Sequence, residues 1–234
     1  MFKKIAALAT AAVLCAGLMA GCGASSTTAD TSYSAENPLV LTLAHGLSEA
    51  HTVHIAMTQF AEEVNEKTDG RVQVKIFPNG QLGSENENLE QLQAGVIAMT
   101  KVSGPGLATY NDAFNTFGLP YIFYDTDDFY HVMDSQEMQD FFLSTGDDGF
   151  VTLTYYTSGA RSFYTKDRAI RTPADLKGLK IRVQDMKSQT DMMSYLGGIP
   201  VAMSYGDVYT SLQTGIIDGT ENNETALTTG KHGE

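Results

Sequence analysis

The side chains best placed to bind or react are two arginines set in apolar strand patterns and a short cluster of histidines. Arg161 follows Ser158-Gly159-Ala160 at a predicted strand start, and Arg182 stands in Lys180-Ile181-Arg182-Val183. Alternation along a strand turns Ile181 and Val183 to the core and Arg182 to the opposite face. If both faces are covered, that guanidinium is enclosed and needs an anion, either a protein carboxylate or a ligand. Spacing alone favours an internal carboxylate, because buried charges are usually paired within the protein. His45, Glu49, His51 and His54 form the one dense group of possible metal ligands. Their loop-to-helix spacing could converge on zinc. A solvated loop with one pocket histidine is the better reading, and neither a metal nor a cofactor is expected.

Enzyme signatures are missing. The chain has no G-x-S-x-G elbow, no G-x-x-x-x-G-K-[ST] loop and no H-E-x-x-H. Gly104-Pro105-Gly106 lacks the third glycine of a dinucleotide loop, and Pro105 removes an N–H that a phosphate would use. Asp127-Asp128 and Asp147-Asp148 are neighbours in sequence, which point apart on a helix and read as solvated faces.

The chain of 234 residues is 42% hydrophobic, enough for one large domain or two small lobes, and carries a formal charge of −13. Such an acidic surface excludes nucleic acid and anionic membranes as partners bound through bulk charge, so an anionic ligand would depend on a few local cations. At the amino terminus, Lys3 and Lys4 precede an apolar run over 5–18 that is too short and too rich in Ala and Gly to span a membrane. It has the layout of an export signal over 1–21. Met19-Ala20-Gly21-Cys22 resembles a lipobox, which makes Cys22 the acylated first mature residue. Cleavage there moves the charge from −13 to −15 and removes Cys15, leaving no pair for a disulfide and no cysteine for catalysis. Residues 22–37, rich in Ser, Thr and Ala, read as a flexible tether.

The elements that must position the arginines follow from periodicity. Strands are predicted over 39–44, 72–77 and 96–102, with helices over 54–67 and 84–94, the second opened by a Ser84/Glu87 capping box. This order predicts a mostly parallel α/β sheet. Two short helices follow near 127–133 and 135–143, then strands over 151–156 and 161–165. A helical turn opens at Thr172-Pro173, a strand runs over 179–183, and a helix covers 187–196. A helix capped by Ser204 and Asp207 extends to 214, and a short strand covers 216–220. Two halves meet near 156–160, lobe I over 38–157 and lobe II over 158–234. Ligands of such sheets sit at the carboxyl ends of strands, often between domains.

Asp175-Leu176-Lys177-Gly178-Leu179-Lys180-Ile181-Arg182-Val183 resembles a motif of the solute-binding proteins of tripartite ATP-independent periplasmic (TRAP) transporters, the DctP family. Asp207-Val208-Tyr209, Leu212-Gln213-Thr214-Gly215 and Asp218-Gly219-Thr220-Glu221-Asn222-Asn223 continue the likeness. Upstream, Phe60-Ala61-Glu62-Glu63-Val64, Phe77-Pro78-Asn79-Gly80-Gln81-Leu82-Gly83 and Gly118-Leu119-Pro120-Tyr121 extend it, so that it covers the chain from about residue 39 onward.

The resemblance implies a two-lobed α/β periplasmic-binding fold that closes over an organic acid. It implies that Arg182 pairs with the ligand carboxylate, which reverses the preference drawn from spacing. It further implies that Arg161 and Asn222 join it, that Tyr205 packs on the ligand, and that His45 is a polar pocket residue. Asn223 stands where many members carry proline. The family continues beyond the point reached at Glu234, so the chain reads as C-terminally truncated and, by itself, as a poor binder.

The function expected is therefore an exported, non-enzymatic lipoprotein, anchored by lipid at the cell membrane, periplasmic or at the outer face of the cytoplasmic membrane. A monomer, it would capture a C4-dicarboxylate or a sugar acid such as a uronate and deliver it to TRAP membrane subunits. The rival readings are a periplasmic hydrolase or lyase acting on a carboxylate, which turnover would reveal, and a structural surface lipoprotein without a saturable ligand.

Overall fold

The computed structural model describes residues 32–157 and 159–234. The expected signal peptide, Cys22 and most of the tether lie outside the described residues. The body from Ser34 to Glu234 forms one compact unit with two separate sheets.

The first sheet has the order β2-β1-β3, with β1 (Leu39–Ala44), β2 (Val72–Phe77) and β3 (Met99–Thr100), all parallel. Helix α1 (Thr52–Lys67) crosses from β1 to β2, and α2 (Glu85–Gln93) from β2 to β3. Leu43, Val53 and Met57 are buried between β1 and α1, with Val74, Ile76 and Met99 packed against them. The Ser84/Glu87 capping box that opens α2 is formed, satisfying N–H groups the first helical turn leaves unpaired. Beyond β3 come two 3₁₀ segments, Gly104–Thr109 and Asp112–Gly118, then α3 (Thr126–Met133) and α4 (Gln136–Ser144). Their core is aromatic: Phe114 is buried with Leu89 and Leu107, against Phe117, Phe141 and Phe150.

The second sheet has the order β4-β7-β5-β6. β5 (Lys180–Val183) is parallel to β6 (Ile199–Ala202) and β7 (Gly219–Asn222), and β4 (Ser162–Thr165) is antiparallel to β7. α5 (Lys187–Tyr195) connects β5 to β6, and α6 (Val208–Thr214) leads toward β7. Leu176, Ile181, Val183 and Met193 make this core. Helix α6 ends at Gly215, whose φ of 73° is the left-handed conformation glycine adopts without strain. The four-residue α7 (Thr225–Thr228) follows β7.

Three local expectations change. The run 151–156 forms no strand. No strand among the described residues pairs with it, and its residues line the cleft instead. β6 exists although it was not expected. Ser204 makes no side-chain cap, because the chain first winds through a 3₁₀ turn, Tyr205–Asp207, before α6 begins.

Candidate binding cleft

The carboxyl ends of the parallel strands of both sheets open on one cleft of about 1340 Å³, the place where open α/β sheets bind ligands. From the first sheet come Leu47 and His51 after β1 and Lys101 and Ser103 after β3. From the second come Arg182 on β5, Tyr205 after β6, and Asn222 on β7. Arg161 lies just before β4, and because β4 is antiparallel its amino end meets the carboxyl end of β7, with Ser162 opposite Asn222.

The two arginines sit in different electrostatic settings. Arg161 makes parallel bonds to Glu221, Nε to Oε2 at 2.5 Å and Nη2 to Oε1 at 2.9 Å, while its Nη1 donates to Asn222 Oδ1 at 3.0 Å. Its charge is answered within the protein. Arg182 is 3% exposed, and both its Nε and its Nη2 donate to the Met203 carbonyl, at 3.1 and 2.9 Å. Among the described residues no carboxylate forms a salt bridge with it. Burial, and then Arg161 nearby, pushes the Arg182 pKa below its ordinary value. A buried cation hydrogen-bonded only to a carbonyl, with Glu221 and Glu85 acting on it from beyond contact, can still pair with an external anion.

Asn222 Oδ1 accepts from Arg161 and from the Asn223 N–H at 2.9 Å. With the oxygen occupied twice, the Nδ2 donors remain for the cleft. Tyr205 lines the cleft, and His232 packs against it with ring centres 5.4 Å apart.

His45 is corrected by the structure. It is fully buried and is not among the cleft-lining residues. The Leu47 N–H donates to its Nδ1 at 3.1 Å and its Nε2 faces His54 Nδ1 at 3.0 Å, so the ring turns inward. Burial first, then His54 and Lys101, holds its pKa down to about 4. The cleft histidine is His51, which spacing could not separate from its neighbours.

A polar floor was also missed. Glu85 pairs with Lys101 at 3.1 Å and accepts from the Ser103 N–H at 3.0 Å, and Gln184 Nε2 reaches Ser103 Oγ at 2.7 Å across the lobes. Burial pushes the Glu85 pKa up, but Lys101 and Ser103 outweigh it and the carboxyl stays below its ordinary value. The signal was present in principle, since Glu85 opens a capped helix and Lys101 ends a strand, but their meeting is a tertiary fact. Among the described residues no group of three or more His, Cys, Asp or Glu side chains is arranged to hold a metal.

Residues 43–234 match the model of the bacterial extracellular solute-binding proteins, family 7, DctP. The chain belongs to that family. The family's fold is the two-lobed one, which makes the space between the sheets its cleft. An uncharacterized protein of Salmonella typhimurium is 41% identical over 87% of this chain. A TRAP periplasmic solute-binding protein of Anaerococcus prevotii, solved with bound D-glucuronate, is 40% identical over 83% of this chain, with a TM-score of 0.80. Another, from a Sulfitobacter species with bound β-D-galacturonate, is 33% identical over 82%, with a TM-score of 0.79. The chain spans 62% of the length of the Salmonella relative and 64% of each of the two solved chains.

Proposed function

We propose that this protein captures a small sugar acid, a hexuronate foremost, outside the cytoplasm and presents it to the membrane subunits of a TRAP transporter without changing it. The observation that carries the reading is Arg182, a buried guanidinium in the cleft with no carboxylate partner among the described residues. Arg182 pairs with the ligand carboxylate and Asn222 Nδ2 adds a hydrogen bond. Tyr205 supplies an aromatic face for the sugar ring. Arg161 holds Asn222 in place and adds positive potential against the acidic mean field. The polar floor of Glu85, Lys101, Ser103 and Gln184 suits hydroxyl groups, which favours a sugar acid over a plain dicarboxylate. The uronates named with the two solved relatives point the same way. Lobe I then spans 38–157 and lobe II 158–234, and Cys22 carries the lipid that retains a monomer at the membrane.

Calorimetric titration of the full-length protein with D-glucuronate, D-galacturonate, galactonate and succinate tests this, with the recovered ligand checked for chemical change. Saturable binding of a uronate, returned intact and lost in Arg182→Ala, is the expected result. Turnover would favour a hydrolase or lyase, and binding unaffected by Arg182→Ala would remove the assignment.

A further inference from the structure

His51 joins the two lobes by a hydrogen bond whose direction is fixed at both ends. Its ring is the N-cap of α1: the Val53 N–H donates to Nδ1 at 3.1 Å. A main-chain amide only donates, so Nδ1 is bare and the neutral ring carries its proton on Nε2. That Nε2 lies 3.2 Å from Oγ1 of Thr225, the first residue of α7 in the other lobe.

Thr225 is fixed by the same logic. Its own N–H donates to Asn223 Oδ1 at 3.1 Å, which identifies that atom as the oxygen, and its hydroxyl also bonds Asn223 Oδ1. The hydroxyl proton is therefore spent on Asn223, and a lone pair is left for His51. The order runs one way: Val53 N–H to His51, His51 Nε2–H to Thr225, Thr225 O–H to Asn223. The Asn223 N–H then donates to Asn222 Oδ1, which is bound to Arg161. Burial, and then Lys101, lowers the His51 pKa.

We propose that His51 and Thr225 form a latch across the cleft, and that His51 is a positioning residue that sets how long the lobes stay together. Other polar contacts cross the lobes, the exposed Asn86–Asp185 pair at 3.2 Å and the part-buried Gln184–Ser103 pair at 2.7 Å among them. In the His51–Thr225 pair the ring is oriented beforehand by the Val53 N–H and the hydroxyl by its bond to Asn223 Oδ1, so little freedom is lost when they meet. The run of hydrogen bonds also ends on Asn222, a cleft-lining residue. Closure and the state of Asn222 are thereby linked. The inference rests on reading the two lobes as the walls of a binding cleft, but its test needs no ligand.

Spin labels at two exposed sites, Glu66→Cys on α1 and Lys177→Cys in the other lobe, with Cys15→Ser and Cys22→Ser, report lobe separation in the full chain by double electron–electron resonance. Thr225→Val keeps the shape and removes the acceptor. Thr225→Ser keeps the hydroxyl. His51→Asn keeps an N-cap oxygen but is too short to cross. The parent and Thr225→Ser should share one balance of short and long distances. Thr225→Val and His51→Asn should each shift it toward the long ones, with the open-to-closed ratio raised about fivefold, as for one neutral hydrogen bond. The double variant should go no further than either single one. Thermal melting shows whether each variant is folded, and Thr225→Val decides if His51→Asn is not. Unchanged distances in Thr225→Val, or single effects that simply add, would overturn the latch.

Discussion

Arg161 and Glu221 hold each other through two parallel hydrogen bonds, from residues 60 positions apart. The Glu221 side chain is only 6% exposed and that of Arg161 is 35% exposed, so the pair is half inside the protein. This is where the second sheet keeps its charge balanced. The neighbouring Arg182 is left unbalanced, and the two arginines should answer mutation in opposite ways.

Glu221→Gln removes the anion and leaves Arg161 partly buried beside Arg182. Breaking a buried pair from one side costs about 3–5 kcal/mol, and the exposure of Arg161 puts this one at or below the lower end. The empty protein should lose that stability in a urea titration. An unchanged midpoint would mean that water already compensates Arg161.

Arg182→Met should do the reverse. It replaces a desolvated cation by an apolar side chain of similar length, so the empty protein should melt no lower than the parent, and uronate affinity should fall by about 2–5 kcal/mol in calorimetry. Arg182→Lys should also weaken binding, since an ammonium cannot make two parallel bonds to a carboxylate. A clear drop in the apo melting temperature with affinity preserved would assign Arg182 to the fold.

Two histidines set an acid limit. In the folded chain His45 and His232 titrate at about 4, against an ordinary 6.5, with burial the main cause in both. Between those values the unfolded chain binds more protons than the folded one. Stability is then complete above about pH 6.5 and declines as pH falls toward 4, by roughly 1 kcal/mol per pH unit for each histidine. Urea midpoints at pH 7, 6 and 5 should decline, and His45→Asn should flatten the slope. A flat profile in the parent over that range would refute the shifts.

Gly219 admits no side chain. A Cβ there would meet the Tyr164 carbonyl and Thr165 on β4, which lies opposite it in antiparallel register. Gly219→Ala should cost about 1–3 kcal/mol by overpacking. It should also disturb the strand that carries Glu221 and Asn222, lowering melting temperature and uronate affinity together. Retention of both would show that β4 can move away freely.

What the sequence made legible was local. β1, β2 and the capped start of α2 follow from alternation and from Ser84 and Glu87, patterns written within a few residues. Arg182 was legible because Ile181 and Val183 fix its face. β6 was not, because Pro200 argues against a strand. In the sheet it sits at the edge, where a missing N–H is tolerated. The segment 151–156 has strand composition, yet composition cannot supply a pairing partner. In the cleft, the answer to Arg161 lies on β7, and whether His45 or His51 lines the cleft depends on how the segment between β1 and α1 packs, since both rings accept a main-chain N–H two residues on. Neither is expressed in spacing.

The Met203 carbonyl that holds Arg182 separates two tasks within one residue. Orientation of the cation is entrusted to the main chain, which every amino acid supplies. The side chain of Met203, a residue that lines the cleft, takes no part in that bond. A substitution at that position can therefore change the shape of the cleft while the guanidinium keeps its aim.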